Sequence, residues 1–206
     1  MIDLYTWATP NGRKVSIYLE EAGLPYKVHP VDIGKDDQFK APFLAISPNN
    51  KIPAIVDPDG PGGKPLSLFE SGAILFYLAE KTGRFLSKDP GTRYRTMQWL
   101  MFQMGGVGPM FGQNHHFRQA NVDDPYGLQR YAKETERLYG VMDRHLAGSE
   151  YFAGEYSIAD MAIYPWVARH PRHKTNLADF PNVLRWYEQV GARAAVQKGM
   201  AVPFVN

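Results

Sequence analysis

The segments SPNNKIPAIVD (residues 47–57) and LSLFESGAIL (residues 66–75) determine how the first part of this 206-residue chain folds. Each contains a short apolar run bordered by turn-forming residues, which predicts two strands joined as a β-hairpin. The second segment continues through Glu70-Ser71 into apolar residues at helical spacing, and this helix ends at Gly83. The predicted order is therefore strand, strand, helix.

The residues before this hairpin predict two further strands with a helix between them. Residues 1–5 are mostly apolar, and residues 26–31 alternate between polar and apolar side chains. The turn TPNG (residues 9–12) begins an amphipathic helix that ends at Gly23. We expect the two strands to be parallel and joined by a right-handed crossover. The order βαβ followed by ββα is that of an α/β thioredoxin-like domain.

The pattern changes after residue 90, where the strand signals disappear. Helical periodicity follows at residues 93–104, 126–146, 157–167 and 181–192. The glycine-rich residues 105–109 predict a kink or a close approach between helices. We therefore expect an α/β thioredoxin-like N-terminal domain over residues 1–82 and an all-α C-terminal domain over residues 90–206, with a linker between them.

The composition excludes several classes of function. The chain has 44% hydrophobic and 21% charged residues, which is typical of a globular protein. Its net charge of +2 is spread along the sequence and predicts no nucleic-acid or membrane partner. No apolar stretch approaches the roughly 18–20 residues of a membrane span, and the first residues lack a signal-peptide pattern. We therefore expect a cytoplasmic protein.

The chain contains no cysteine. Disulfides, thiolate metal sites and a nucleophilic protein thiol are therefore excluded. Any sulfur chemistry must use a sulfur atom that a ligand supplies.

Several motifs together resemble the cytosolic glutathione S-transferases, from residue 1 to about residue 186. They are TPNG (9–12), SPNNKIPAIVD (47–57), LFESGAIL (68–75) and SIAD (157–160). With GPMFGQNHHF (108–117) and RLYGVMDRHL (137–146), they look most like the bacterial nu-class branch, which is known for glutathione-dependent disulfide-bond reductase activity. The resemblance implies the two-domain transferase architecture, a homodimer, and glutathione as co-substrate without a metal.

The γ-glutamyl end of glutathione carries an ammonium and a carboxylate, and Glu70-Ser71 suits both. A helix N-terminus offers free N–H groups and partial positive charge to a carboxylate, and the Ser71 hydroxyl adds a donor. Glu70 can accept from the ammonium. An ordinary N-cap serine beside an acidic residue would give the same pattern.

The resemblance implies that the bond between Ile52 and Pro53 is cis and that the Ile52 backbone pairs with the cysteinyl unit of glutathione, as a short added strand. Lys51 is the candidate cation for the glycine carboxylate, with Asn50 and Gln38 beside it. An exposed lysine is otherwise usually solvated.

The thiol requires donors or positive potential, because only the thiolate is nucleophilic and an unperturbed thiol has a pKa of about 8.5. The helix start after Thr9 supplies both. Tyr5 lies inside the first strand and is predicted to point elsewhere. In the nu-class pattern a threonine and an asparagine stand at this helix start, so Asn11 is the first candidate catalytic residue and Thr9 the second. The alternative is a turn that only begins a helix.

Three other features have weaker signals. By resemblance, Arg130 reaches toward the bound tripeptide, although it could equally be a surface arginine. His115 and His116 are adjacent on a helix and lack partners at metal-ligand spacing, so we predict no metal site. Asp160 is predicted to cap a helix in the domain core.

Three functions remain open at this level. The favoured one is a disulfide-bond oxidoreductase in which the thiolate of bound glutathione attacks a small disulfide. The second is a transferase that conjugates glutathione to small electrophiles. The third is a non-catalytic, transferase-like binding module.

Overall fold

The computed structural model describes residues 1–119 and 123–203 and divides into two compact units. Among the described residues, the first unit comprises residues 1–84 and 193–203, and the second comprises residues 85–119 and 123–192. The predicted domains over residues 1–82 and 90–206 stay a prediction. In this division the last described helix is grouped with the first unit.

The first unit is built on one four-stranded sheet. Its strands are β1 (Ile2–Thr6), β2 (Tyr26–Pro30), β3 (Ala54–Asp57) and β4 (Leu66–Phe69). Their order is β2-β1-β3-β4, with β1 and β2 parallel and the other neighbours antiparallel. Its helices are α1 (Pro10–Ala22), α2 (Ala41–Leu44), α3 (Ser71–Thr82) and α10 (Ala194–Ala201). This mixed sheet confirms the predicted thioredoxin-like fold.

The local sequence explains where α1 and α3 begin and end. Thr9 caps α1, Pro10 occupies its first turn, and Gly23 ends it in the left-handed conformation. Gly83 ends α3 in the same way. Alternate side chains of β1 are buried, and these pack with the apolar faces of the two helices into the core.

Helix α10 packs against α1, which is why it belongs to the first unit. A Cβ at Gly199 would lie 2.5 Å from the Cα of Ile17, so only glycine permits this approach. The Ser16 hydroxyl donates to the carbonyl oxygen of Gly199 over 2.6 Å. Arg193 pairs with Glu21 through two hydrogen bonds of 2.6 and 2.9 Å. These contacts hold α10 against α1 within the first unit.

The second unit is all-helical. Its helices are α4 (Pro90–Phe102), α5 (Gly108–Gln119), α6 (Pro125–Leu146), α7 (Ile158–Val167), α8 (His170–His173) and α9 (Pro181–Gly191). A π-helical turn, Gln103–Val107, joins α4 to α5. Within the glycine-rich residues 105–109, a Cβ at Gly108 would lie 3.5 Å from the Trp166 indole nitrogen of α7, so a close approach between helices is present there.

Asp160 connects three parts of the second unit, as its predicted structural role requires. Its carboxylate accepts from the backbone N–H groups of Ser157 and Phe152 and from the Trp186 indole N–H, at 3.0, 3.2 and 2.8 Å. Ser157 and Asp160 form a capping box at the start of α7. No helix in the described part of the chain is both long and apolar enough to cross a membrane.

Candidate active site

Three connections of the first unit meet at one edge of the sheet. Tyr5 of β1 pairs with Ala54 of β3, and Ala54 pairs with Phe69 of β4. Because β1 and β4 both run antiparallel to β3, their C-terminal ends lie beside the N-terminal end of β3. The start of α1, the residues before β3 and the start of α3 therefore meet at this edge, and they carry most of the predicted site residues.

Thr9 organises the start of α1. Its side chain accepts from the N–H of Gly12 over 3.2 Å, and its carbonyl accepts from the N–H of Arg13. An oxygen that accepts this bond keeps its own hydroxyl proton for another acceptor. Asn11 follows in the first helical turn and is partly buried. A threonine hydroxyl and an asparagine amide therefore stand together at a helix N-terminus.

Gly12 brings this helix start against the end of β1. A Cβ at Gly12 would lie 2.3 Å from Thr6 Oγ1 and 2.5 Å from the carbonyl oxygen of Trp7. No side chain fits there. Sequence reasoning included Gly12 only as a turn residue, although the glycine in TPNG was the available signal.

The bond between Ile52 and Pro53 is cis, as predicted. Pro53 is buried, and Ile52 packs against the apolar cluster of Val31, Phe43 and Ala54. Within the described ranges, no backbone hydrogen bond to another residue occupies the N–H or C=O of Ile52. An extended peptide can therefore pair with this residue.

The residues predicted for the glycine end lie on two segments. Asn50 adopts a left-handed conformation with φ of 49°, and Ser47 holds the loop by donating to the carbonyl of Lys51 over 2.9 Å. Lys51 is exposed. Gln38 lies on the separate turn Asp37–Phe39, and its side-chain oxygen is buried without a hydrogen-bond partner in the described structure.

Glu70 has an unusual backbone conformation at the third connection. Its φ of 70° and ψ of 110° are costly for a residue with a side chain, and such conformations cluster at functional sites. Ser71 is the first residue of α3 and not its N-cap. The alternative of an ordinary capping serine is therefore wrong.

Lys14 lies beside the candidate site residue Ser71, and sequence reasoning did not single it out. It is only 1% exposed, and its Nζ donates to Ser71 Oγ over 3.1 Å, linking α1 to the start of α3. Burial lowers the pKa of Lys14 to about 7, and the Glu70 carboxylate opposes that effect. Its position in the sequence gave no signal, because lysines near a helix start are usually solvated.

Comparison with known proteins agrees with this geometry. Models of the glutathione S-transferase N-terminal and C-terminal domains match residues 8–81 and 127–194. The chain is also 54% identical over 203 residues to the disulfide-bond oxidoreductase YfcG of Escherichia coli, covering 97% of this chain and 94% of that protein. The chain belongs to the glutathione S-transferase family.

Two solved glutathione transferases have closely similar structures. The protein from Pseudomonas putida has a TM-score of 0.95 and 52% identity, covers 98% of this chain and 91% of its own, and holds one glutathione disulfide per subunit. The protein from Pseudomonas fluorescens has a TM-score of 0.94 and 50% identity. The match covers 98% of this chain and 93% of that protein, which holds two glutathione molecules.

Tyr5 of β1, which the sequence predicts to point away from the thiol, takes part in ring packing. Its ring stacks on the ring of His29 with 4.6 Å between centroids and packs against the cluster that contains Phe43. The Asp3 carboxylate lies 2.7 Å from His29 Nε2. Tyr5 is therefore a packing residue, and Thr9 and Asn11 remain the candidate thiol partners.

Arg130 lies in the second unit of the chain, on α6. It is exposed and lines an open cavity of about 530 Å³ together with Tyr126, Glu134 and Arg137. Its contact with the tripeptide stays a prediction. His115 lies on α5, where burial lowers its pKa. Within residues 1–119 and 123–203 there is no cluster of three or more His, Cys, Asp or Glu side chains that could hold a metal.

Proposed function

We propose that this chain is a glutathione-dependent disulfide-bond oxidoreductase of the nu-class branch. The observation that carries the proposal is the helix start at Thr9 and Asn11, which offers donors to a sulfur at the sheet edge next to Ile52, in a chain without any cysteine. The 54% identity to a disulfide-bond oxidoreductase supports the same reaction.

The binding site follows from the three connections at the sheet edge. Ser71 and the N-terminus of α3 bind the γ-glutamyl carboxylate, and Glu70 accepts from the ammonium. The Ile52 backbone, beside Pro53, pairs with the cysteinyl unit. Residues of two loops in the first unit receive the glycine carboxylate. The loop residues are Gln38, Asn50 and Lys51.

The reaction then has two displacement steps. The glutathione thiolate, stabilised by hydrogen bonds from Asn11 and Thr9, attacks one sulfur of the substrate disulfide. A mixed disulfide forms, and the other half leaves as a thiolate that takes up a proton. A second glutathione thiolate attacks the glutathione sulfur of the mixed disulfide. The products are glutathione disulfide and two substrate thiols, and no protein atom is oxidised.

The assembly and location carry over from the sequence expectations. We propose a homodimer, as is general in this family, acting in the cytoplasm. Glutathione is a co-substrate and not a permanently bound cofactor, because each turnover consumes two molecules.

The decisive assay is glutathione-dependent reduction of 2-hydroxyethyl disulfide, followed through glutathione reductase and NADPH, with aromatic-halide conjugation measured in parallel. We expect strong reduction that falls about 10²-fold or more in Asn11→Ala, as on loss of one donor to a developing anion. Asn176→Ala, which removes only an exposed side chain that caps the short turn Leu177–Asp179 of the helical unit, serves as the control.

Other results of these assays would support one of the two alternative functions. Conjugation without disulfide reduction would identify the chain as a general transferase. Absence of both activities, together with absence of glutathione binding, would identify a non-catalytic module.

A further inference from the structure

The amino group of Lys14 is buried and lies next to Ser71, the first residue of α3. Lys14 projects from α1, whose neighbouring residues Val15, Ile17 and Tyr18 are wholly buried. The Lys14 side chain is as buried as these apolar residues, yet it ends in a hydrogen bond to Ser71 Oγ. Burying a cation is costly unless other groups compensate for its lost hydration.

Glu70 and Lys14 carry one negative and one positive charge, which are complementary to the ammonium and the carboxylate of a γ-glutamyl group. Glu70 is exposed and adjacent to Ser71, and its carboxylate acts on the Lys14 ammonium. The γ-glutamyl end of glutathione has one ammonium and one carboxylate on the same carbon. A site with a carboxylate at Glu70 and an ammonium behind Ser71 is complementary to that pair.

The direction of the hydrogen bond supports this arrangement. Below its pKa of about 7, Lys14 is an ammonium with donors only, and in that form the Ser71 oxygen accepts from Nζ. Hydrogen bonds in a chain polarise one another, and a hydroxyl oxygen that accepts from a cation donates its own proton more strongly. The Ser71 hydroxyl is thus set to donate to an anion.

We propose that Lys14 is a positioning residue for glutathione, acting through Ser71 to make this helix start selective for the γ-glutamyl carboxylate. The inference rests on the proposed function and adds a residue that does not itself touch the ligand. It assigns to Lys14 the discrimination between peptides that have this carboxylate and peptides that lack it.

The test compares two ligands on two proteins. The ligands are glutathione and 4-aminobutyryl-cysteinyl-glycine, which lacks only the γ-glutamyl carboxylate. Calorimetry at pH 6, where Lys14 is an ammonium, should give a Kd for the analogue about 10- to 100-fold weaker with the wild type, the range for a hydrogen bond to a charged group. Lys14→Met should bind the two ligands with Kd values within about threefold of each other, while its Kd for the analogue stays near that of the wild type.

The absence of cysteine permits a rescue experiment. Lys14→Cys places a single thiol in the chain, which 2-bromoethylamine converts in denaturant to a lysine analogue before refolding. The aminoethylated protein should regain the ligand discrimination. The same variant capped with a neutral methylthio group should lack it. Wild type taken through the same treatment controls for refolding.

The outcomes separate this inference from the proposed function. The inference is overturned, while the proposed function stands, if Lys14→Met or the methylthio-capped protein discriminates between the two ligands as the wild type does. It is also overturned if either protein binds both ligands more weakly than the wild type by the same factor. If Lys14→Met fails to fold, the two modified Lys14→Cys proteins decide the matter. If the wild type binds neither ligand, the proposed function itself fails.

Discussion

The position of Gly12 directly against Thr6 fixes the start of α1 on the end of β1. A Cβ at Gly12 would lie 2.3 Å from Thr6 Oγ1, well inside van der Waals contact. Thr6 is itself buried, so it cannot move aside into solvent. This contact holds Thr9 and Asn11 in place at the sheet edge.

Gly12→Ala should therefore lower the free energy of unfolding by about 1–3 kcal/mol, the usual range for overpacking. Disulfide reductase activity should fall as well, because the helix start has to shift. Urea denaturation measures the first effect. Gly105→Ala is the matched control, since a Cβ there meets no atom within 4 Å. Equal changes in both variants would show that Gly12 is not a constrained position.

Thr9 has a structural and a chemical role that two substitutions separate. Thr9→Val keeps the shape but loses the cap on Gly12, which should cost about 1 kcal/mol of stability. It also removes the hydroxyl donor, so activity should fall. Thr9→Ser retains both groups and should stay close to wild type in each measurement. A serine variant as impaired as the valine variant would contradict the hydroxyl's role.

The lowered pKa of Lys14 predicts how stability depends on pH in the absence of ligand. In the unfolded chain Lys14 loses its proton at its ordinary pKa of 10.5, and in the folded chain it loses the proton at a pKa of about 7. The unfolded state therefore binds more protons between these values, and stability rises with pH across that interval. Lys14→Met should lose this rise, whereas Lys88→Met, at an exposed position, should keep it. Parallel wild-type and Lys14→Met curves from pH 7 to pH 9.5 would refute the assignment.

Asp57 should make the first unit sensitive to acid. Burial by itself would raise its pKa, but hydrogen bonds from Lys81, Tyr77 and the Asp59 N–H outweigh burial and hold the pKa below its usual value. The stability this gives is present above the unfolded pKa of about 3.8 and is lost as the pH falls through the lower folded value. Asp57→Asn should lower the free energy of unfolding by about 2–3 kcal/mol at pH 7. It should also make the free energy of unfolding fall less steeply as the pH is lowered. The exposed Asp59→Asn should change stability by less than about 0.5 kcal/mol.

The sequence predicts the four strands and most helices of this chain because their apolar periodicity is local. The cis bond before Pro53 and the importance of Glu70-Ser71 came from the motifs. The return of α10 to the first unit could not be predicted, since it depends on Gly199 meeting Ile17 across a long stretch of chain. The burial of Lys14 could not be predicted for the same reason, because Lys14 and Ser71 are far apart in the sequence and come into contact only in the folded chain.

Stabilisation of the glutathione thiolate without a protein thiol is the centre of this account. A pH titration of the ultraviolet absorbance of the thiolate, with glutathione bound to wild type and to Asn11→Ala, tests it directly. With the wild type, the pKa of the bound thiol should fall from about 8.5 to about 7 or below, as occurs for thiols at helix N-termini. With Asn11→Ala, it should return toward the value of the free thiol. An unchanged pKa on binding to the wild type would contradict the account.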